Sequence, residues 1–299
     1  MAEVVLVHGI AQEQKSADGL EAAWLPSLAG GVRTAGHPSV ADRLWRSGQP
    51  GDARMAFYGD LFLPTDQQGT SDDLPAPELA EAIAMAWLTR AAEDATDESD
   101  RQAARREIDY LTQRGETQGA RAALRPVINS LTRLRPFARL GVALAGRVVV
   151  KSLAQVTRYL TDEETRARIQ RRVLDLVDEN TKVIVAHSLG SVVAYEVAHQ
   201  LGHPLPLLVT MGSPLGLRAV VYERLRPQPP MVPKSVLSWV NIADRDDLVA
   251  ARPDLTPLFA DPAGVLAGGY TVDNGAKPHD ATFYLAKRQI GEPVGRALS

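Results

Sequence analysis

The stretch TKVIVAHSLGSVVAYEVAH, residues 181–199, passes from one apolar element to another with almost no room for a loop between them. Val183 to Ala186 is a continuous β-branched run ending in alanine and bounded by Lys182, the pattern of a strand buried on both faces. Val192, Val193, Tyr195, Glu196 and Val197 follow at helical spacing, with Ala194 and Ala198 between them. A strand-to-helix turn this tight forces one residue into a strained backbone conformation and lifts its side chain clear of the sheet, and here that residue is Ser188. Ala186 and Gly190 meet the demand for small side chains where the strand and helix backbones nearly touch. A phosphate-cradling loop would need G-x-G-x-x-G or a G-K-[ST] ending, and neither is present. A serine serving only as a helix cap leaves the small residues on both sides unexplained. Ser188 is therefore a candidate nucleophile, and the Leu189 N–H at the helix start is a candidate donor to an oxyanion.

A serine needs a base, and the base needs an orienting acid. Of the six histidines, His187 lies beside the nucleophile and points elsewhere, while His199 and His203 end the following helix. His8 sits in a His-Gly turn as a loop support, and His37 lies in a polar loop. His279, in GAKPHDATFYL after the last strand, is placed to drop an imidazole over the C-terminal edge of a sheet. The acid should follow a strand between serine and histidine, where WVNIADRDDLVAARP offers Asp244, Asp246 and Asp247. Position alone leaves these three open.

The chain of 299 residues, 45% hydrophobic and 23% charged, has the composition of a globular protein with a full core. A net charge of −3 gives no reason to expect nucleic-acid binding. The absence of cysteine excludes disulfides, cysteine nucleophiles and thiolate metal sites. MAEVVLVHG leads straight into a strand with no leader pattern, and FARLGVALAGRVVVKSLAQV is interrupted by Arg139, Arg147 and Lys151, so a cytoplasmic location is expected.

Strands are predicted at 4–7, 54–62 (RMAFYGDLF), 183–186, 205–210 and 236–242, whereas Pro77 to about Asn180 shows no strand pattern and is rich in helix-favouring Ala, Leu, Arg and Glu. The last third reads strand, helix, strand, short helix, strand, the signature of a parallel sheet with helices on its faces. The expected architecture is one α/β domain over 1–299 with a helical insertion at 75–175 that precedes the Ser188 strand.

Four separated pieces, VVLVHGI (4–10), AHSLG (186–190), MGSPLG (211–216) and DLVA (247–250) with His279, resemble the α/β-hydrolase superfamily, nearest to its lipase and esterase branches. The resemblance covers the first sixty residues and 181 to about 287, but not the helical middle. It implies a mainly parallel sheet and acyl transfer through an acyl-serine without cofactor or metal. It assigns Ser188 as nucleophile, His279 as base and Asp247 as acid, since Asp-Leu-Val-Ala is similar to the lipase D-x-V-P motif. It also implies that the Ile10 N–H joins that of Leu189 in an oxyanion hole. The leading function is hydrolysis of lipid or medium-chain carboxylic esters. A thioesterase or acyltransferase with the same residues is the second reading, and a silent binding protein on a hydrolase scaffold is the third.

The stretch 114–158 holds eight arginines and Lys151 against one acid, Glu116. Its apolar residues, Val127, Ile128, Leu131, Leu134, Leu140, Leu144, Val148 and Leu153, form a stripe. A helical hairpin packed on the domain with a solvated basic face accounts for this pattern. The sharper expectation is a lid over Ser188, its apolar surface lining the acyl pocket and its basic surface making peripheral contact with lipid. Oligomeric state is not legible.

Overall fold

The apolar runs of the sequence assemble into one sheet of six strands, because a run buried on both faces needs hydrogen-bonded neighbours on both sides. The computed structural model describes residues 2–47, 52–63, 75–115, 120–134 and 142–299, with backbone only at 114–115, 120–124 and 142–145. The strands are β1 (Val4–Val7), β2 (Ala53–Ala56), β3 (Val183–His187), β4 (Leu207–Met211), β5 (Trp239–Asp244) and β6 (Tyr270–Val272). Their order is β2-β1-β3-β4-β5-β6 and every neighbouring pair is parallel. The chain runs outward in one direction from β1 to β2 and in the other from β3 to β6. The order therefore reverses between β1 and β3, and the crevice beyond the C-terminal ends of strands at such a switch point is where ligands bind in α/β sheets.

The helices are α1 (Ala17–Thr34), α2 (Pro38–Trp45), α3 (Pro77–Asp94), α4 (Glu98–Gly115), α5 (Ala120–Arg133), α6 (Val142–Thr161), α7 (Glu163–Leu174), α8 (Leu189–Ala198), α9 (Ala281–Leu285) and α10 (Arg288–Leu298). Strand side chains alternate between two helical layers. Val4, Leu6, Val183, Val185 and Val209 pack against Trp24 and Leu28 of α1 and Tyr284 and Ile290 of α9 and α10. Val5, Val7, Ile184, Ala186 and Leu208 face the other way, onto Val192 and Val193 of α8 and the helices of the middle segment.

Between β2 and β3 the described residues contain one 3₁₀ turn, five α-helices and no strand. The segment is joined to the sheet layer by polar as well as apolar contacts. Glu196 of α8 is buried and accepts from Tyr159 (2.7 Å), Arg166 Nε (2.9 Å) and Gln170 (2.8 Å). A carboxylate this buried is tolerable only with its charge paired and its lone pairs filled: these three donors share Oε2, and Arg166 Nη2 and the Arg226 N–H (3.0 Å) donate to Oε1.

Five residues of the stripe predicted at 127–153 are core. Val127, Ile128, Leu131, Leu134 and Leu153 are buried in the same apolar cluster as Ile184 and Leu208. Leu131 is 0% exposed and is not among the residues around the cavity that opens on Ser188, whereas Val148 of the same stripe is, so the expected contact with the pocket is met at Val148 and not at Leu131. The side chains of Leu140 and Leu144 lie outside the described residues, while Arg125, Arg133 and Arg147 are exposed. Leu131→Ala should accordingly lower the unfolding free energy by about 2–5 kcal/mol, the cost of a cavity in a tight core. Denaturant titration checks this, and a change below about 1 kcal/mol would place the side chain outside the core.

Three predicted strands differ in their bounds by more than one residue, the one expected at 205–210 running over Leu207–Met211. The strand expected over 54–62 stops at Ala56, and Gly59–Phe62 is a 3₁₀ turn. The Tyr58 N–H leaves the sheet direction to donate to His8 Nε2 (3.1 Å), and Gly59 packs so closely that a Cβ would lie 2.7 Å from the Gln12 carbonyl oxygen. β5 begins later than the predicted 236 and runs on to Asp244. β6 was not predicted, being three residues long with two of them exposed. No helix among the described residues is long and apolar enough to cross a membrane.

Candidate active site

The turn between β3 and α8 is as tight as its sequence requires. Ser188 has φ 54° and ψ −129°, a left-handed backbone that disfavours any residue with a Cβ. Its N–H donates to the Met211 carbonyl at the end of β4 (3.1 Å), which holds the strained residue over the sheet edge. Glycines let the neighbouring backbone approach. A Cβ on Gly190 would lie 2.4 Å from the His8 carbonyl oxygen, and one on Gly9 would lie 2.6 Å from the Ser188 Cβ. The β1 loop and the Ser188 turn are thus in direct contact.

Ser188, His279 and Asp247, supplied by three separate loops, form one hydrogen-bonded chain. His279 Nε2 is 3.1 Å from Ser188 Oγ, and His279 Nδ1 is 2.8 Å from Asp247 Oδ2. Asp247 is fully buried and also accepts from the Tyr284 hydroxyl (2.8 Å) and the Val249 and Ala250 N–H groups (3.1 and 3.2 Å). Burial, the largest influence, pushes its pKa up. The facing His279, its hydrogen bond and that of Tyr284 outweigh burial and hold the carboxyl below its ordinary value. An ionised carboxylate only accepts, so His279 carries its hydrogen on Nδ1 and leaves Nε2 free to accept from the Ser188 hydroxyl.

The three aspartates at and just beyond the end of β5 are thereby told apart. Asp244 accepts from the Asp246 N–H (2.8 Å) and from the Asn274 N–H, tying β5 to the loop that carries His279. Asp246 accepts from the Thr96 N–H and hydroxyl, both at 2.6 Å, in the connection between α3 and α4. Only Asp247 faces the imidazole. Alanine at 250, where the D-x-V-P pattern has proline, supplies an N–H to Asp247 that proline would lack.

Ile10 follows β1 beside Ser188, and Leu189 is the first residue of α8, where helical N–H groups have no partner within the helix. The β1 loop is held by His8, whose Nδ1 donates to the Gly9 carbonyl (2.7 Å) while Nε2 accepts from Tyr58. Because the Gly9–Ile10 peptide is planar, anchoring its carbonyl also sets the direction of the Ile10 N–H. Tyr58, Tyr284 and Gln155, which donates to Glu13 and accepts from Ala11, were not anticipated; no local pattern marks side chains that act across the sheet edge. His187 is nearer than predicted, its ring 4.6 Å from that of His279, and its buried Nε2 has no partner among the described residues. His199 and His203 lie at and beyond the far end of α8, and His37, expected in a loop, precedes α2 without a side-chain hydrogen bond to it.

A cavity of about 360 Å³ opens on Ser188 and His279, walled by Leu20, Trp24, Trp87, Val148 and Val249 with Lys15 and Ser152. A larger hollow of about 680 Å³ lies between α10 and the opposite edge of the sheet, around Leu207, Val240 and Tyr270. No histidine lines it, so chemistry rather than size marks the site. No group of residues suited to hold a metal ion occurs among the described residues. Comparison with protein-family models, curated proteins and solved structures finds no match.

Burial lowers the pKa of His8 to about 4 and of His187, aided by the nearby His279, to about 3. Unfolding exposes both to water, where they protonate near 6.5. Below that pH the unfolded chain binds more protons than the folded one, so stability should fall as pH drops from about 6.5 toward 4. The slope reaches about 1.4 kcal/mol per pH unit for each histidine. Urea unfolding at a series of pH values measures it, and a flat profile between neutrality and pH 5 would contradict neutral burial.

Proposed function

We propose that the protein is a serine hydrolase of the α/β-hydrolase type that cleaves carboxylic esters through an acyl-serine intermediate. The observation that carries this reading is the Asp247–His279–Ser188 chain, with links of 2.8 and 3.1 Å, ending on a serine in strained backbone over an apolar cavity. Structural hydrogen bonds do not require a serine to be held at positive φ at the mouth of a cavity; a nucleophile does.

In this mechanism His279 Nε2 takes the Ser188 proton as Oγ attacks the ester carbonyl carbon. The negative charge that develops on the carbonyl oxygen is met by the N–H groups of Ile10 and Leu189. The C–O bond to the leaving group breaks, His279 returns the proton to it, and an alcohol departs. Water then attacks the acyl-serine with His279 again as base, releasing the carboxylic acid and restoring Ser188. Asp247 keeps the imidazole in the required tautomer and stabilises its cation. A volume of about 360 Å³ is at the small end for ligand pockets, which favours short or medium acyl groups over long lipid chains.

Labelling of the native protein with a fluorophosphonate followed by peptide mapping tests this. Stoichiometric modification of Ser188 is the expected result. Modification of a different serine, or of none, would overturn the reading.

A further inference from the structure

The loop that follows β1 is held from a distant part of the chain. Ala11 has φ 59°, a left-handed conformation unusual for a residue other than glycine, so its surroundings must hold it there. Its N–H donates to Oε1 of Gln155 on α6 across 144 residues of sequence (2.8 Å). Nε2 of the same amide donates to Glu13 Oε2 (2.8 Å), and the other Glu13 oxygen pairs with Lys151, one helical turn before Gln155. Gln155 and Glu13 are both buried. Burial pushes the Glu13 pKa up, but hydrogen bonds from Lys151 and Gln155 hold it below its ordinary value. An ionised Glu13 only accepts, which fixes which end of the Gln155 amide meets Ala11.

The consequence reaches Ile10. The Ile10 carbonyl accepts from Gln12 Nε2 (3.0 Å), so the Ile10–Ala11 peptide is anchored at its oxygen by Gln12 and at its nitrogen by Gln155. The preceding peptide is anchored at the Gly9 carbonyl by His8. The Ile10 N–H lies between these anchors, so both of its flanking torsions are constrained. We propose that Gln155 is a positioning residue, supplied by the helical segment, that holds the Ile10 N–H aimed at the oxyanion formed on Ser188 chemistry. This rests on the serine hydrolase reading above. It gives α6 a part in the site as the clamp of the β1 loop.

The test compares Gln155→Met with the unmodified protein in steady-state ester hydrolysis, fluorophosphonate labelling and thermal melting. Methionine keeps the length and removes both hydrogen bonds. An oxyanion donor matters in the transition state and little in the bound ester, so kcat and the labelling rate should fall about ten- to hundredfold. KM should stay within about threefold and labelling should remain on Ser188. A kcat within about threefold of the unmodified protein overturns the proposal, as does a parallel loss of kcat, substrate affinity and melting temperature, which marks a merely structural role. An unmodified protein that is not labelled at Ser188 overturns the hydrolase reading and this one with it. If Gln155→Met does not fold, Glu13→Ala makes the same test, since it removes the acceptor that holds Gln155 Nε2 and frees the amide to turn away from the Ala11 N–H. A severalfold fall in kcat at constant KM then supports the proposal, and an unchanged kcat overturns it.

Discussion

Ser188→Ala should lower ester turnover by about a millionfold and abolish fluorophosphonate labelling while leaving the fold intact. The fold should survive because alanine has the same Cβ as serine and meets the same backbone at φ 54°. The lost hydroxyl has one partner, His279 Nε2, and that ring stays held by Asp247 on its other nitrogen. What remains should be the weak catalysis of substrate binding and the Ile10 and Leu189 amides. Single-turnover assays on the folded variant, with circular dichroism as control, measure both halves of this expectation. Retained turnover above about a hundredth of the original would mean that another nucleophile is at work.

Asp247→Asn should reduce kcat by about ten-thousandfold, as the equivalent change does in other serine triads. An asparagine can still accept from the Val249 and Ala250 N–H groups through its oxygen. Its amide nitrogen then faces His279, and a donor in that place makes Nδ1 accept and puts the imidazole hydrogen on Nε2, where it cannot take the Ser188 proton. Asp244→Asn should behave differently. Both carboxylate oxygens of Asp244 accept backbone N–H groups, from Asp246 and Asn274, so an asparagine sets its NH₂ against a donor. That costs about 1–3 kcal/mol of stability, with kcat expected within about tenfold because no reacting atom is touched. Parallel measurement of kcat and melting temperature separates the two. If Asp244→Asn proves the crippling change and Asp247→Asn does not, the assignment of the acid is wrong.

The helical segment between β2 and β3 holds the site at two further places. Arg90 of α3 donates from Nε to the Ala250 carbonyl (3.3 Å), next to the Asp247 turn, and Thr96 bonds Asp246. With Gln155 on the β1 loop, three contacts from the segment reach loops that carry site residues. A segment packed this way cannot swing as a free lid without releasing them, although Val148 and Ser152 of α6 do form part of the cavity wall.

What the amino-acid sequence determined on its own is local. The strand, turn and helix at 183–199 follow from β-branched residues, small residues at Ala186 and Gly190, and helical spacing, all within about twenty positions. The strained backbone of Ser188 is a consequence of joining those two elements without a loop. The stretch of helices from Pro77 to Leu174 was equally visible, since the absence of alternation is a property of the segment itself. Tertiary structure decided everything that depended on two distant segments meeting. Asp244, Asp246 and Asp247 have the same chemistry within four positions, and only the packing of β5 beside the His279 loop gives the imidazole to Asp247. The apolar stripe at Val127–Leu134 reads the same whether it covers a cavity or fills a core, because periodicity tells which face is buried and not what it is buried against. The Ala11–Gln155 contact has no sequence signature, since a side chain-to-backbone hydrogen bond across 144 residues leaves no periodicity in either segment.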